Sequence, residues 1–290
     1  MSAPDNYTKI STVGDNVDVC LSTSNIEQAK CEYLVSNIDV AVTHLLPHLV
    51  AVKNFLPWDE SAVAERDVLI MIKQQATMNN GSTCIAHLLD HDWEHEHPRW
   101  LMLSTMPECC TLQLLLDDPR PRLQYGLIWH VFLEIYQGLK FLHTECDAPI
   151  AHRDLHAGNV LLGYMDASER MPRVIIVDFG DAPKRPGPSD FESDVMLFVV
   201  LIVQMAKLAD SGYGPGTGCK DLDVFLKPNP PSGTLESLHD EFGAPARKGV
   251  KEMGETKLEE ISNLLRGVME DNSKKVREMV RGLLVAEEEY

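Results

Sequence analysis

The stretch "IAHRDLHAGNVLLG", residues 150–163, constrains the fold more than any other part of the chain. It crowds two histidines, an arginine, an aspartate and an asparagine into a short run that then turns strongly apolar, so polar groups sit directly ahead of a strand suited to the interior. A second cluster follows at a fixed distance: the apolar strand "RVIIV" runs into "DFG" and delivers Asp178 19 residues after Asn159. Two polar clusters in fixed order, each joined to a buried strand, are a far more specific signal than either alone.

The remaining composition narrows the setting. A chain of 290 residues that is 44% hydrophobic can bury a sizeable core, as one large domain or two lobes. With 26 Lys plus Arg against 44 Asp plus Glu, the formal net charge of -18 argues against nucleic acid and against anionic membrane surfaces as partners. The start, "MSAPDNYTKI", lacks a basic segment followed by an apolar one, so an intracellular, cytoplasmic placement is expected. Seven cysteines at irregular positions without a CxxC pair fit reduced thiols. The longest apolar run, "VMLFVVLIVQMA" (Val195 to Ala206), is too short to span a bilayer and reads as a buried helix.

The chain changes character along its length. Up to about Leu103 it carries strand-like fragments, "YTKISTVG", "VDVCLST" and "LVAVKNF", with one helical pattern in "ESAVAERDVLIMIKQQ". Beyond that point helices dominate: "YGLIWHVFLEIYQGLKFLH" repeats its apolar residues at the helical period, and the run around Phe198 is apolar nearly all round. "GYGPGTG" and "KPNPPSG" read as loops.

"HRDLHAGN" followed by "DFG" resembles the catalytic loop and metal-binding turn of the protein kinase superfamily. The resemblance implies ATP and Mg²⁺ as cofactors, Asp154 as the base beside an attacking hydroxyl, and Asn159 and Asp178 as metal ligands. "LVAVKNF" matches the family's lysine strand, which makes Lys53 the phosphate-reaching lysine, and Glu65, 12 residues on, its ion-pair partner. "RWLMLSTMPECCTLQLLL" is similar to the family's strand five, hinge and first helix of the larger lobe. That places Leu103 as gatekeeper and Ser104, Thr105 and Met106 along the adenine, with Gly14, Val19, Ala51 and Leu161 completing the nucleotide site. Leu69, Leu88, His152 and Phe179 align with the family's stacked column. The resemblance covers Tyr7 to about Leu284.

The departures bear on affinity and substrate. The glycine-rich loop keeps only Gly14, with Asn16 where a second glycine would fall, although backbone amides must approach phosphate closely there. Residues 22–47 form an insert of unassigned structure. His156 stands where serine/threonine kinases carry lysine, and a similar H-x-D-L-H-x-x-N pattern occurs in aminoglycoside and choline kinases. Only 13 residues, "DAPKRPGPSDFES", separate Gly180 from Asp194, which resembles the buried aspartate of the family's helix F; no A-P-E motif closes the segment. Arg153, which in the family often pairs with a phosphate on that segment, finds only Ser189 and Ser193 there. "HDWEHEH" reads as a solvated turn, Cys109 and Cys110 as packed thiols at a helix start, "LLVAEEEY" as a solvated acidic tip, and the family's last helices as truncated.

The expectation is an α+β, two-lobed protein-kinase-like domain over residues 1–290: a β-rich lobe at 1–103, a hinge at 104–107 and a helical lobe at 108–290. The expected activity is phosphoryl transfer from ATP to Ser or Thr of a protein. A small hydroxylated metabolite as acceptor, and a binding module without turnover, stand as alternatives.

Overall fold

The computed structural model describes residues 4–13, 16–33, 38–78, 84–119, 123–165, 168–209 and 219–285. Gly14 and the whole of "GYGPGTG" lie outside them. The chain is mixed α+β, with a β-sheet N-terminal region and a helical C-terminal part, as in a kinase-like fold.

Five antiparallel strands form the first sheet: β1 (Tyr7–Val13), β2 (Val17–Ser22), β3 (Val50–Asn54), β4 (Leu88–His91) and β5 (Trp100–Ser104), in the order β1-β2-β3-β5-β4. β3 is central, paired on both sides, so the β-branched and small residues of "VAVKN" suit its burial, and the strand presents Lys53 at a fixed height.

The insert, unassigned from sequence, folds as α1 (Thr23–Tyr33) and α2 (Ile38–Leu45), followed by a single 3₁₀ turn, Leu46–His48. α3 (Glu60–Met78) then lays Ala62, Val68, Leu69 and Ile72 into the core at helical spacing and carries Glu65.

The helical region is built around α5 (Tyr125–Lys140) and α6 (Pro188–Lys207). Trp129, Phe132, Phe198, Phe225 and Phe242 pack with ring centroids 4.9–6.5 Å apart, largely at tilted and edge-on angles, and seal the region's centre. A second antiparallel sheet, β6 (Glu108–Thr111), β7 (Val160–Tyr164) and β8 (Arg173–Ile176), joins the segment after β5 to the two polar clusters. Cys109 and Cys110 therefore lie on a strand; the helix begins only at α4 (Leu112–Asp117), where Thr111 accepts from the Leu114 amide. α7 (Leu235–Lys251) completes the core against α5.

The last helix, α8 (Glu255–Val285), has 31 residues and spans about 46 Å at 1.5 Å per residue. Of "LLVAEEEY", residues 286–290 lie outside the described residues, and the first three end α8 rather than form a solvated tip. Leu284 is buried with Val280 against Ile10, Leu21, Ile26, Ala41 and Leu45, forming a second core shared by β1, β2, α1, α2 and α8. Nor is the "HDWEHEH" turn wholly solvated. His91 and Asp92 are buried, Asp92 accepts from the Glu94 and Arg99 amides and from His95, and no metal-binding cluster occurs among the described residues. No described helix is long and apolar enough to cross a membrane.

Truncating one anchor of α8 tests this arrangement: Leu284→Ala should lower unfolding stability by about 2–4 kcal/mol, read from the denaturant midpoint, because a buried leucine is lost rather than a solvated one.

Candidate active site

Lys53 reaches from β3 into the space between the two regions and is bound on both sides. Its Nζ lies 2.8 Å from Glu65 Oε2 on α3 and 2.8 Å from Asp178 Oδ1 in the turn after β8. Burial works against its ammonium, but the two carboxylates outweigh that and hold its pKa above the usual lysine value. At Asp178 burial is likewise opposed, by Lys53 and the Gly180 amide, and the carboxyl titrates below its ordinary value. Asp178 has φ 67°, a left-handed conformation unusual for a non-glycine residue, and the bonds from Lys53 and Gly180 hold it there.

The preceding loop is organised from behind by Asp194 of α6, which is fully buried. Its carboxylate accepts from the His152 amide at 2.8 Å, the Arg153 amide at 2.7 Å and His143 Nε2 at 2.9 Å. Those bonds fix Arg153 at φ 67°. His152, also fully buried, donates from Nε2 to the Val177 carbonyl and accepts the Asp154 amide at Nδ1, so both ring nitrogens are committed in the neutral form. Burial accordingly pushes its pKa down from 6.5.

Asp154 emerges from this loop with its side chain 44% exposed. Asn159 Nδ2 donates to both the Asp154 carbonyl and its Oδ2, each at 2.9 Å, tying the two residues into one unit. His156 caps the Ala157–Asn159 turn through Nδ1, which leaves Nε2 3.4 Å from Asp154 Oδ2. The Arg153 guanidinium lies 3.4 Å from Asp190, in the first turn of α6. Because α6 begins at Pro188, only seven residues, 181–187, join Gly180 to the helix, and Ser189 and Ser193 are helical rather than part of a free segment.

A cavity of about 550 Å³ opens beside Lys53. Of the residues singled out from sequence, Val19, Ala51, Lys53, Glu65, Leu103, Ser104, Thr105, Met106, Asn159, Leu161 and Asp178 all line it. Asp154, Arg153 and His156 lie outside its lining, on the same loop as Asn159. Asn16, read from sequence as standing at a glycine position of the phosphate loop, lines it too, while Leu49, Ala86, Cys109, Thr111, Leu114 and Val177 join it without having been anticipated, as do Asn272, Ser273 and Val276 of α8. Val177, adjacent to "DFG", could have been inferred; nothing in the α8 sequence points to the cavity. Leu69, Leu88, His152 and Phe179 are all buried, and the His152 and Phe179 rings lie 4.9 Å apart.

No protein-family model matches the chain. It is similar to plant protein kinases from Arabidopsis thaliana: LRR receptor-like serine/threonine-protein kinase RGI1, 29% identical over 164 residues; Cysteine-rich receptor-like protein kinase 27, 28% over 167 residues; and Serine/threonine-protein kinase-like protein CCR2, 32% over 111 residues. These matches take in 54%, 50% and 37% of this chain but only 14%, 26% and 13% of the respective relatives. Fold and similarity together support a protein-kinase-like relationship at the level of distant homology.

Two outcomes follow from the loop geometry. Asp194→Asn keeps the side-chain shape but replaces one carboxylate oxygen by a donor facing donors, so it should cost about 2–4 kcal/mol in chemical denaturation. For His152 the folded pKa lies below 6.5, so the unfolded chain takes up a proton first. The stability that neutral His152 contributes is complete above about pH 6.5 and is lost as pH falls from there towards the folded pKa. Thermal unfolding between pH 7.5 and 5 should show this slope, and a His152→Gln variant, though less stable, should have a flatter profile across that window.

Proposed function

We propose that the chain is a protein-kinase-like phosphotransferase that moves the γ-phosphate of ATP to a hydroxyl, preferentially on Ser or Thr of a protein. The observation that carries this reading is the pair of ion pairs made by Lys53: one ammonium donating to Glu65 and to Asp178 at 2.8 Å each, at a cavity large enough for a nucleotide. The fold and the similarity to plant protein kinases support the phosphotransferase class.

In this reading residues 1–103 and 108–290 are the lobes and 104–107 the hinge. Ser104, Thr105 and Met106 meet the adenine; Val19, Ala51 and Leu161 pack its faces; Leu103 closes the back; and Gly14 belongs to the loop over the phosphates. Lys53 orients the phosphates and Glu65 holds Lys53 in place. The donor set at Asn159 and Asp178 fits Mg²⁺, which takes hard oxygen ligands and keeps several waters and phosphate oxygens in its shell, so two protein side chains suffice. Bound there, Mg²⁺ supplies neutralisation of phosphate charge.

Asp154 accepts the hydrogen bond of the acceptor hydroxyl and takes its proton as the phosphate transfers. Its carboxylate is pre-aimed by Asn159 and has His156 Nε2 beside it, a donor positioned where a transferring phosphate would carry negative charge. Arg153 already has a carboxylate partner in Asp190, so the loop needs no added phosphate to satisfy it. The seven-residue connection from Gly180 to α6 favours a second reading, a small hydroxylated acceptor, because it leaves little chain to support a docked peptide.

Calorimetry should detect ATP binding that depends on Mg²⁺, and Asp178→Ala should remove that dependence; absence of any ATP effect would count against both readings. Offered basic proteins alongside aminoglycosides, choline and sugars, the wild type should label protein, with kcat falling roughly 10²- to 10⁴-fold in Asp154→Asn while ATP binding is kept. Label confined to a small molecule and lost in Asp154→Asn would establish the second reading instead.

A further inference from the structure

α8 departs furthest from what the kinase-like motifs imply, because it belongs to both regions at once. Ile261, Leu265 and Met269 are buried in the main core, and Val280 and Leu284 in the second core beneath α1 and α2. Between these anchors Asn272, Ser273 and Val276 line the cavity beside Lys53, and Arg277 bonds Glu108 of β6 at 3.1 Å. At 3.6 residues per turn, positions 265, 269, 272, 273, 276, 280 and 284 fall along one side of the helix. From Leu265 to Leu284 those positions are apolar except at the cavity, where Asn272 is exposed and Ser273 half-buried. Both side chains border the cavity from its solvent side, within reach of an occupant.

We propose that this stretch of α8 is a wall of the nucleotide site, and that Asn272 and Ser273 hydrogen-bond the sugar hydroxyls of a ribonucleotide. The proposal rests on the nucleotide reading of the cavity. Lys53, Asn159 and Asp178 occupy the end suited to polyphosphate and metal, and Ser104 to Met106 the edge suited to the base. The sugar must lie between them. α8 packs against β6 and α4, the elements that follow the Ser104–Pro107 connection, and lines the cavity with Asn272, Ser273 and Val276. Amide and hydroxyl side chains each donate and accept, which matches a pair of vicinal hydroxyls that do the same.

The test is calorimetric titration of the full chain with MgATP and with its 2′,3′-dideoxy analogue, for the wild type and an Asn272→Ala, Ser273→Ala double variant. Alanine is the better helix former at both positions, so folding is not put at risk. The wild type should bind ATP about 5- to 50-fold more tightly than the dideoxy analogue, the double variant should bind ATP as weakly as the wild type binds the analogue, and analogue binding should be the same in both proteins. If the wild type binds ATP and the double variant binds it equally well, or loses the analogue by the same factor as ATP, the proposal is overturned while the nucleotide reading stands. If the wild type binds neither ligand, the nucleotide reading fails and takes this proposal with it.

Discussion

Much of the site depends on one buried carboxylate. Among the described residues Asp194 has no cation of fixed charge bonded to it; it is satisfied by two backbone amides and an imidazole, and taking it out of water is tolerable because all three donors converge at 2.7–2.9 Å. In return it dictates the loop. It holds Arg153 in a left-handed conformation that costs about 1–3 kcal/mol for a residue with a Cβ, and that kink turns Asp154 outward while His152 stays inside. His152 passes the constraint on, since its Nε2 bond to the Val177 carbonyl fixes the strand end from which Asp178 departs. A side chain on α6 thus positions both polar clusters without touching either Asp154 or Asp178.

The second constraint runs between the sheet and helical regions. Lys53 comes from the centre of a five-stranded sheet and Asp178 from the far side of the cavity, so their 2.8 Å bond spans the gap directly. Glu65 braces the same ammonium from α3. With three ionisable groups sharing one contact, displacing any one of them leaves a buried charge short of a partner, which ties the position of α3 to that of the turn after β8.

The parts legible in the sequence are those where chemistry demands particular side chains at particular spacings. Asp154 and Asn159 lie five residues apart because Asn159 must reach back to the Asp154 carboxylate; Lys53 and Glu65 are separated by the turn from β3 into α3. Elements decided by pairing were not legible. "ECCT" reads as the approach to a helix, and it becomes β6 only because Gly163 lies opposite, where a Cβ would sit 2.4 Å from the Glu108 carbonyl oxygen. α1 and α2 carry weak patterns of their own and take their burial from β1, β2 and α8, a helix more than 200 residues further on. The amphipathic stripe of α8 is readable, but its partners are not, because periodicity gives the apolar face and says nothing of what covers it.

The shared core has a consequence for how the chain is made. Ile10 and Leu21 leave the ribosome about 260 residues ahead of Val280 and Leu284, which form part of the surface that covers them. Synthesis at about 5–20 residues per second separates the two by roughly 15 to 50 seconds. Throughout that interval the strands β1 and β2 and the helices α1 and α2 can pair with one another but cannot close their apolar face. The sheet region therefore cannot close this core until α8 has emerged, and the unclosed apolar face is the part of the growing chain most open to wrong association.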